Sequence, residues 1–222
     1  MRSNHLFKSS LVKPLFSAIV LLLSIFNSWS VQDVFEHKVL YPDQESVLTE
    51  QMEFINNTPD FRVKFTQENY VQALNRTFTS QGELYLLRDE GIVWKTETPY
   101  NQTLYIANTG EVFDPDSDSS NRPFPHAQAM VDIFNSDLHA LSKAFSLFFL
   151  APQDHWILGL RPSRRLIRRH LDEIVIIGNY NGEIYSIDIS IKDGSPIQFS
   201  FEGQEPLGEK EKYELRKVFQ KQ

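Results

Sequence analysis

Cysteine is absent from the 222 residues, which excludes disulfides, thiol nucleophiles and cysteine-ligated metals. Glycine is scarce, with nine in the chain, and none of them builds a phosphate-cradling loop. No serine lies in a G-x-S-x-G turn and no histidine in H-E-x-x-H, so the common signatures of serine hydrolases and zinc proteases are missing. Basic residues are outnumbered, 22 against 29 acidic, for a net charge of −7. So acidic a surface does not suit nonspecific nucleic-acid binding. Long hydrophobic runs are absent too, apart from Leu15 to Phe26.

That one run reads as the apolar region of a signal peptide. Arg2, Lys8 and Lys13 precede it, and Ser28-Trp29-Ser30 offers small residues for cleavage. It is shorter than the roughly 20 apolar residues of a membrane span. Residues 1–30 are therefore expected to be removed, leaving 31–222 as a single exported domain. The remainder carries 19 basic and 29 acidic residues, a net charge of −10. Without disulfides it must rely on its core, for which such a length suffices.

What is present is alternation. Asp43 or Ser46 can cap a helix whose apolar face, Val47, Met52, Phe54 and Ile55, ends before Pro59. Phe61, Val63 and Phe65 then alternate with Arg62, Lys64 and Thr66, a half-buried strand. Residues 78–87 follow, with Leu84 and Leu86 on one face and Tyr85 and Leu87 on the other, so both faces are covered or one lines a cavity. Turns at Asp89-Glu90-Gly91, Pro99-Tyr100-Asn101 and Asn108-Thr109-Gly110 join further strands at 92–94, 104–106 and 112–113, an antiparallel meander. After a polar loop, 114–126, helices are predicted over 127–134 and 137–150. Strands are predicted again at 156–160, 174–177, 184–191 and 197–201, and a charged helix at 209–220 closes the chain. This order predicts an α+β fold: a curved antiparallel sheet with helices on its concave side.

Few residues offer chemistry. Asp114, Asp116 and Asp118 have calcium-loop spacing, but Ser119 and Pro125 stand where such a loop needs glycine and glutamate; the run reads as a solvated loop. His126, His139, His155 and His170 form no metal-ligand pattern, and His139 reads as a structural histidine beside an apolar helix face. Nothing local pairs Glu97, Glu173 or Glu183. Arg161, Arg164, Arg165, Arg168 and Arg169 form a dense basic cluster, either a solvated face or a docking patch for an anionic headgroup or acidic partner. No cofactor or metal is expected. Phe65, Tyr85, Trp94, Tyr105, Phe113, Phe145, Phe148, Phe149 and Trp156 are more aromatics than one plain sheet face needs, and an apolar cavity would use them.

Phe61-x-x-x-Phe65-Thr66-Gln67, Gly82-Glu83-Leu84-Tyr85-Leu86-Leu87-Arg88, Trp94, Pro99 and Ile106-Ala-Asn-Thr-Gly110 resemble, in order and spacing, the LolA family of periplasmic outer-membrane lipoprotein carriers. The resemblance covers residues 43 to about 115 closely and the rest mainly in element order. It implies an incomplete β-barrel lidded by helices, acting without catalysis. The implied partners are a lipoprotein or other acyl-lipid cargo, an inner-membrane release transporter and an outer-membrane acceptor, and the carrier is expected to be a monomer. The implied cavity residues are Phe65, Leu84, Leu86, Trp94, Leu104, Ile106, Met130, Phe134, Leu141, Phe145 and Phe148, and Arg88 falls on the family arginine that latches the lid. Asp89 departs from the pattern, replacing the proline that usually follows. Residues 137–170 are unlike the lipoprotein carrier, and the tail from Trp156 to Phe201 looks like the divergent relatives encoded with aryl-polyene pathways. A glycolipid or aryl-polyene-type lipid is therefore an alternative cargo, and an exported acyl-lipid hydrolase an alternative class.

Overall fold

The computed structural model describes residues 34–40, 46–114, 127–192, 194 and 196–220. The expected leader, the cap at Asp43, the loop acids Asp116 and Asp118, and His126 lie outside the described residues.

Helix α1 (Ser46–Asn57) buries Leu48, Gln51, Met52 and Ile55, one face of a helix by their spacing. Strands β1 (Phe61–Val71), β2 (Arg76–Leu87), β3 (Gly91–Thr98), β4 (Gln102–Ala107) and β5 (Val112–Phe113) follow as a meander. Helices α2 (Ala127–Phe134) and α3 (Leu138–Ala144) lead to β6 (Phe145–Leu150), β7 (Trp156–Pro162), β8 (Leu171–Gly178), β9 (Ile184–Ile191) and β10 (Ile197–Pro206), and α4 (Glu209–Phe219) ends the chain. The expected strands are present and mostly longer than the sequence suggested. Asp137 caps α3 by accepting the Ala140 N–H at 2.8 Å.

All ten strands form one antiparallel sheet in the order β5-β4-β3-β2-β1-β10-β9-β8-β7-β6. Two meanders are thus joined through β1 and β10, with Phe65 opposite Phe201. The outer strands, β5 and β6, are neighbours in the chain but do not pair, so the barrel stays open. At the β6 edge, residues 37–39 add a short extension: Val39 N–H donates to the Leu147 carbonyl at 2.9 Å and Phe149 N–H to that of His37 at 3.0 Å.

The sheet is curved. Trp94 on β3 and Phe199 on β10 are three strand spacings apart, about 14 Å on a flat sheet, yet their ring centroids lie 5.3 Å apart. Phe65 and Trp94 meet at 4.4 Å, because Gly82, opposite Phe65, puts no side chain between them. There the β2–β3 register slips, and a Cβ on Gly82 would lie 1.9 Å from the Lys95 carbonyl oxygen.

Residues 145–150 correct the sequence reading. The helix expected over 137–150 is only α3, and Phe145 turns to extended backbone at φ −131° and ψ 152°. Phe145, Leu147 and Phe149 face the concave core, whereas Phe148 joins Val34, Ile157 and Val175 on the other side. With both faces apolar, the run carries no period that separates strand from helix. A second difference concerns α4. It does not join the concave helices; Leu215, Val218 and Phe219 pack on Tyr85, Leu87, Val93 and Tyr105 on the convex face. That explains why Tyr85 and Leu87 are apolar as well as Leu84 and Leu86: both faces of β2 are covered.

Gly82→Ala is expected to lower stability by about 3 kcal/mol, since the added carbon forces β2 and β3 apart. Thr79→Ala, exposed on the same strand, should change it by less than about 0.5 kcal/mol. Urea unfolding measures both, and equal midpoints would show that the crowding at Gly82 is relieved cheaply.

Candidate functional site

Ten of the residues singled out by sequence gather on the concave face. Phe65, Leu84, Leu86, Trp94, Leu104 and Ile106 come from β1–β4, Met130 and Phe134 from α2, Leu141 from α3 and Phe145 from β6. All are buried in one apolar cluster. Phe148 is the exception, placed on the convex face by the two-residue period of β6. The same cluster takes in Trp156, Leu158, Ile176, Ile184 and Phe201 from β7–β10, and Met52 and Ile55 from α1. The alternation within those later strands was the signal for them; which way each strand faced was not encoded locally.

Helices and sheet close tightly on each other. Met52, Ile55, Ile133, Leu141, Trp156, Leu158, Ile176 and Ile184 surround a seam too narrow for a water molecule, so no ligand-sized cavity is open there. The walls are entirely aliphatic or aromatic apart from the Trp156 indole N–H, which donates to the Asn179 carbonyl at 2.8 Å. Such a surface recognises nothing by hydrogen bonding. It offers dispersion and exclusion of water.

At one end of this seam lies Arg88, just after β2. Its Nε donates to the Thr58 carbonyl at 3.0 Å, its Nη1 to that of Phe134 at 2.9 Å, and its Nη2 to that of Ile55. Ile55 lies in the last turn of α1, Thr58 just follows it, and Phe134 is the last residue of α2. Helix C-termini present unpaired carbonyls and a partial negative charge, and a guanidinium fork supplies donors and charge together. The arginine is itself fixed: its N–H donates to Asp60 Oδ1 at 3.1 Å, and its carbonyl accepts from Asn108 Nδ2 at 2.8 Å. Burial pushes the guanidinium pKa down from its ordinary value, and the nearby Asp60 charge opposes that.

Asp60 extends this node to the convex side, accepting from Arg216 of α4 at 3.0 Å. Asp89, which stands where the resemblance leads one to expect proline, lies 3.8 Å from the same arginine. The departure therefore has a local partner in α4.

Ionisable groups elsewhere are dispersed. Glu97 pairs with Lys95 at 2.9 Å, Glu173 with Arg161 at 3.3 Å, and Glu183 accepts from Asn179 Nδ2 at 2.8 Å. His139 is exposed rather than set against the core. Among the described residues no three metal-binding side chains cluster. Arg161 lies over the Phe35 ring at 4.0 Å, while Arg164, Arg165, Arg168 and Arg169 occupy the β7–β8 loop, exposed. Within the loop Ile167–Arg169 forms a single short helical turn. Burial pushes the Asp132 and Asp188 carboxyls up.

No protein-family model matches the chain, and no curated protein does. Solved structures similar to it include a LolA superfamily protein, NE2245 from Nitrosomonas europaea, at 12% identity and TM-score 0.42, covering 73% of this chain and 93% of that one. MucB of the Pseudomonas aeruginosa MucA/MucB complex is similar at 12% identity and TM-score 0.44, over 75% of this chain and 59% of that one. A putative outer membrane lipoprotein-sorting protein domain from Vibrio parahaemolyticus is similar at 9% identity and TM-score 0.37, over 81% and 99%. Likeness at this level follows the general course of the chain and assigns no function.

Asp188 gives a pH-dependent expectation. Its Oδ1 is buried without a partner, and burial raises its pKa above the unfolded value despite Gln198. The folded state therefore holds this proton more tightly, and its charged form weakens the fold as pH rises. Asp188→Asn should be more stable than the wild type by about 1 kcal/mol at neutral pH. The gap should shrink as pH falls toward the ordinary carboxylate range. Urea unfolding at the two pH values reads it directly; a gap that widens on acidification would contradict the assignment.

Proposed function

We propose that the protein is a non-enzymatic carrier in the periplasm, which shields the acyl chains of a lipoprotein between its sheet and helices during transfer from inner to outer membrane. The supporting observation is how the cover is held. Helices α2 and α3 meet the concave face mainly through apolar side chains. At one corner Arg88 ties the end of α2, at Phe134, to the end of α1, at Ile55 and Thr58, with Asn135 donating to Asn108 Oδ1 at 2.9 Å beside it. An acyl chain that displaces them exchanges one apolar contact for another, at about 0.8 kcal/mol gained per methylene taken from water. The hydrogen bonds of Arg88 to Phe134 and of Asn135 to Asn108 are the polar contacts that opening of α2 must break. In this reading Arg88 is the lid latch, and the tight seam is the cargo-free state.

The sequence resemblance around Phe61 to Gly110 supports the lipoprotein as cargo. The tail from Trp156 to Phe201 supports a glycolipid or polyene lipid instead. Native mass spectrometry of the protein purified gently from its own compartment separates them. A co-purifying triacylated lipopeptide supports the first cargo and a bound acyl or polyene lipid the second.

A fluorescent fatty-acyl probe tests the carrier itself. Uptake should change the emission of buried Trp94 and Trp156, and a protein that neither carries lipid nor takes up the probe would sink the proposal. Arg88→Leu removes its bonds to three carbonyls, of which only that of Ile55 keeps another donor, the Thr58 N–H, and is expected to cost about 2 kcal/mol of stability. It should still take up probe yet release it to acceptor membranes at least about fivefold more slowly, with Arg88→Lys intermediate. Release at the wild-type rate from a folded Arg88→Leu protein would remove the latch role.

A further inference from the structure

The end of the sheet opposite Arg88 has no part in the carrier reading, and its composition is unusual for so acidic a chain. The antiparallel register puts the β1–β2, β3–β4, β7–β8 and β9–β10 connections at this one end, since Val71 pairs with Arg76, Gln81 with Thr98, Leu160 with Ile174 and Ile197 with Ile189. Two separate kinds of residue collect there.

The first kind is cationic. The β7–β8 loop carries Arg164, Arg165, Arg168 and Arg169, all exposed. Lys143, in the last turn of α3, is brought to it where Ser163 N–H donates to the Ala144 carbonyl at 2.8 Å. Lys192 is brought to it where its N–H donates to the His170 carbonyl at 3.0 Å. Among the described residues none of these six side chains forms an ion pair, whereas Arg161 next door is engaged by Glu173 and Phe35. Among the described residues the exposed acid beside this loop is Asp172, against these six cations, with Glu68 and Glu97 further along the rim on β1 and β3.

The second kind is apolar and stands at the tips of the connections. Leu166, between the arginines, is 74% exposed, and Leu74 and Tyr100 at two other turns are each 64% exposed. They stand on three separate connections, Leu74 with exposed Tyr70 and Phe78 on its own hairpin. A protein interface needs a contiguous desolvated centre. A membrane interface accepts separate apolar side chains, each entering the headgroup region beside cations that meet the phosphates.

We propose that this rim docks on an anionic phospholipid surface, with Arg164, Arg165, Arg168 and Arg169 meeting the headgroups and Leu166 inserting between them. Leu74 and Tyr100 are further contact points on the same rim. The inference is independent of what the concave face holds. It adds a membrane-facing end to the molecule, and it narrows the sequence-derived basic cluster by removing Arg161, whose guanidinium is already occupied.

The test is co-sedimentation of the purified protein with vesicles of phosphatidylcholine alone and of phosphatidylcholine with phosphatidylglycerol. Binding is expected only to the anionic vesicles, weakening steeply with salt. Replacing the four loop arginines by Gln should cut affinity by at least about a hundredfold, since each cation near such a surface contributes about fivefold. The double variant Lys212→Gln/Lys217→Gln, on α4, should bind as the wild type does. Leu166→Trp should blue-shift on binding, which reports insertion; an unshifted spectrum in a bound protein would overturn that part. Absence of binding to anionic vesicles, or equal binding by the four-arginine variant, overturns the proposal. Loss of binding to polyglutamate without any vesicle binding would overturn it in favour of an acidic protein partner. Acyl-probe uptake by the same variant, unaffected by these changes, keeps this result separate from the carrier reading.

Discussion

The pairing of β1 with β10 is the constraint from which the rest of the architecture follows. Because it joins the two meanders back to front, the free edges become β5 and β6, which are consecutive in the chain. The segment between them must travel from one edge of a ten-stranded sheet to the other. Curvature makes the concave side the short way across, and α2 and α3 lie there. The cover over the apolar face is thus the crossover connection itself. It is covalently tethered at both ends, yet its described helices, α2 and α3, add no strand to the sheet.

That arrangement sets what can be fixed and what can move. The strands are held by ladders of backbone bonds, which cannot be exchanged for lipid contacts. The helices are held by side-chain packing, which can. Polar ties are few, among them Asn135 to Asn108 and Ser163 to Ala144, and that of Arg88 is economical: one guanidinium bonds the ends of two helices that converge on the β2–β3 turn. Through Asp60 and Arg216 the same node reaches α4 on the far face, so the termini of three helices meet around one half-buried cation and one buried carboxylate. A buried charge without such partners would be costly.

The two ends of the sheet differ as a result. One holds the Arg88 node, where polar groups are internally paired. The other holds hairpin tips, unpaired arginines and exposed Leu166, where polar and apolar groups both face outward. Placed together, they describe a molecule closed at one end by hydrogen bonds and open to a surface at the other.

Local sequence determined the strands of the first half: Phe61, Val63 and Phe65 alternate with charged and polar neighbours, and the glycine turns mark where each strand stops. It also marked α1 through its helical spacing, and it brought Arg88 to notice through a motif. It could not determine β6, because a run apolar on both sides carries no period. For the same reason Phe148 was assigned to the wrong face. Tertiary structure alone decided the strand order, the placing of α4 on the convex side, the carbonyls that Arg88 binds and the meeting of Lys143 and Lys192 with the arginine loop. Periodicity records which side of an element is buried, but what buries it lies a hundred or more residues away, as Phe65 opposite Phe201 does, and only the closed fold supplies that partner.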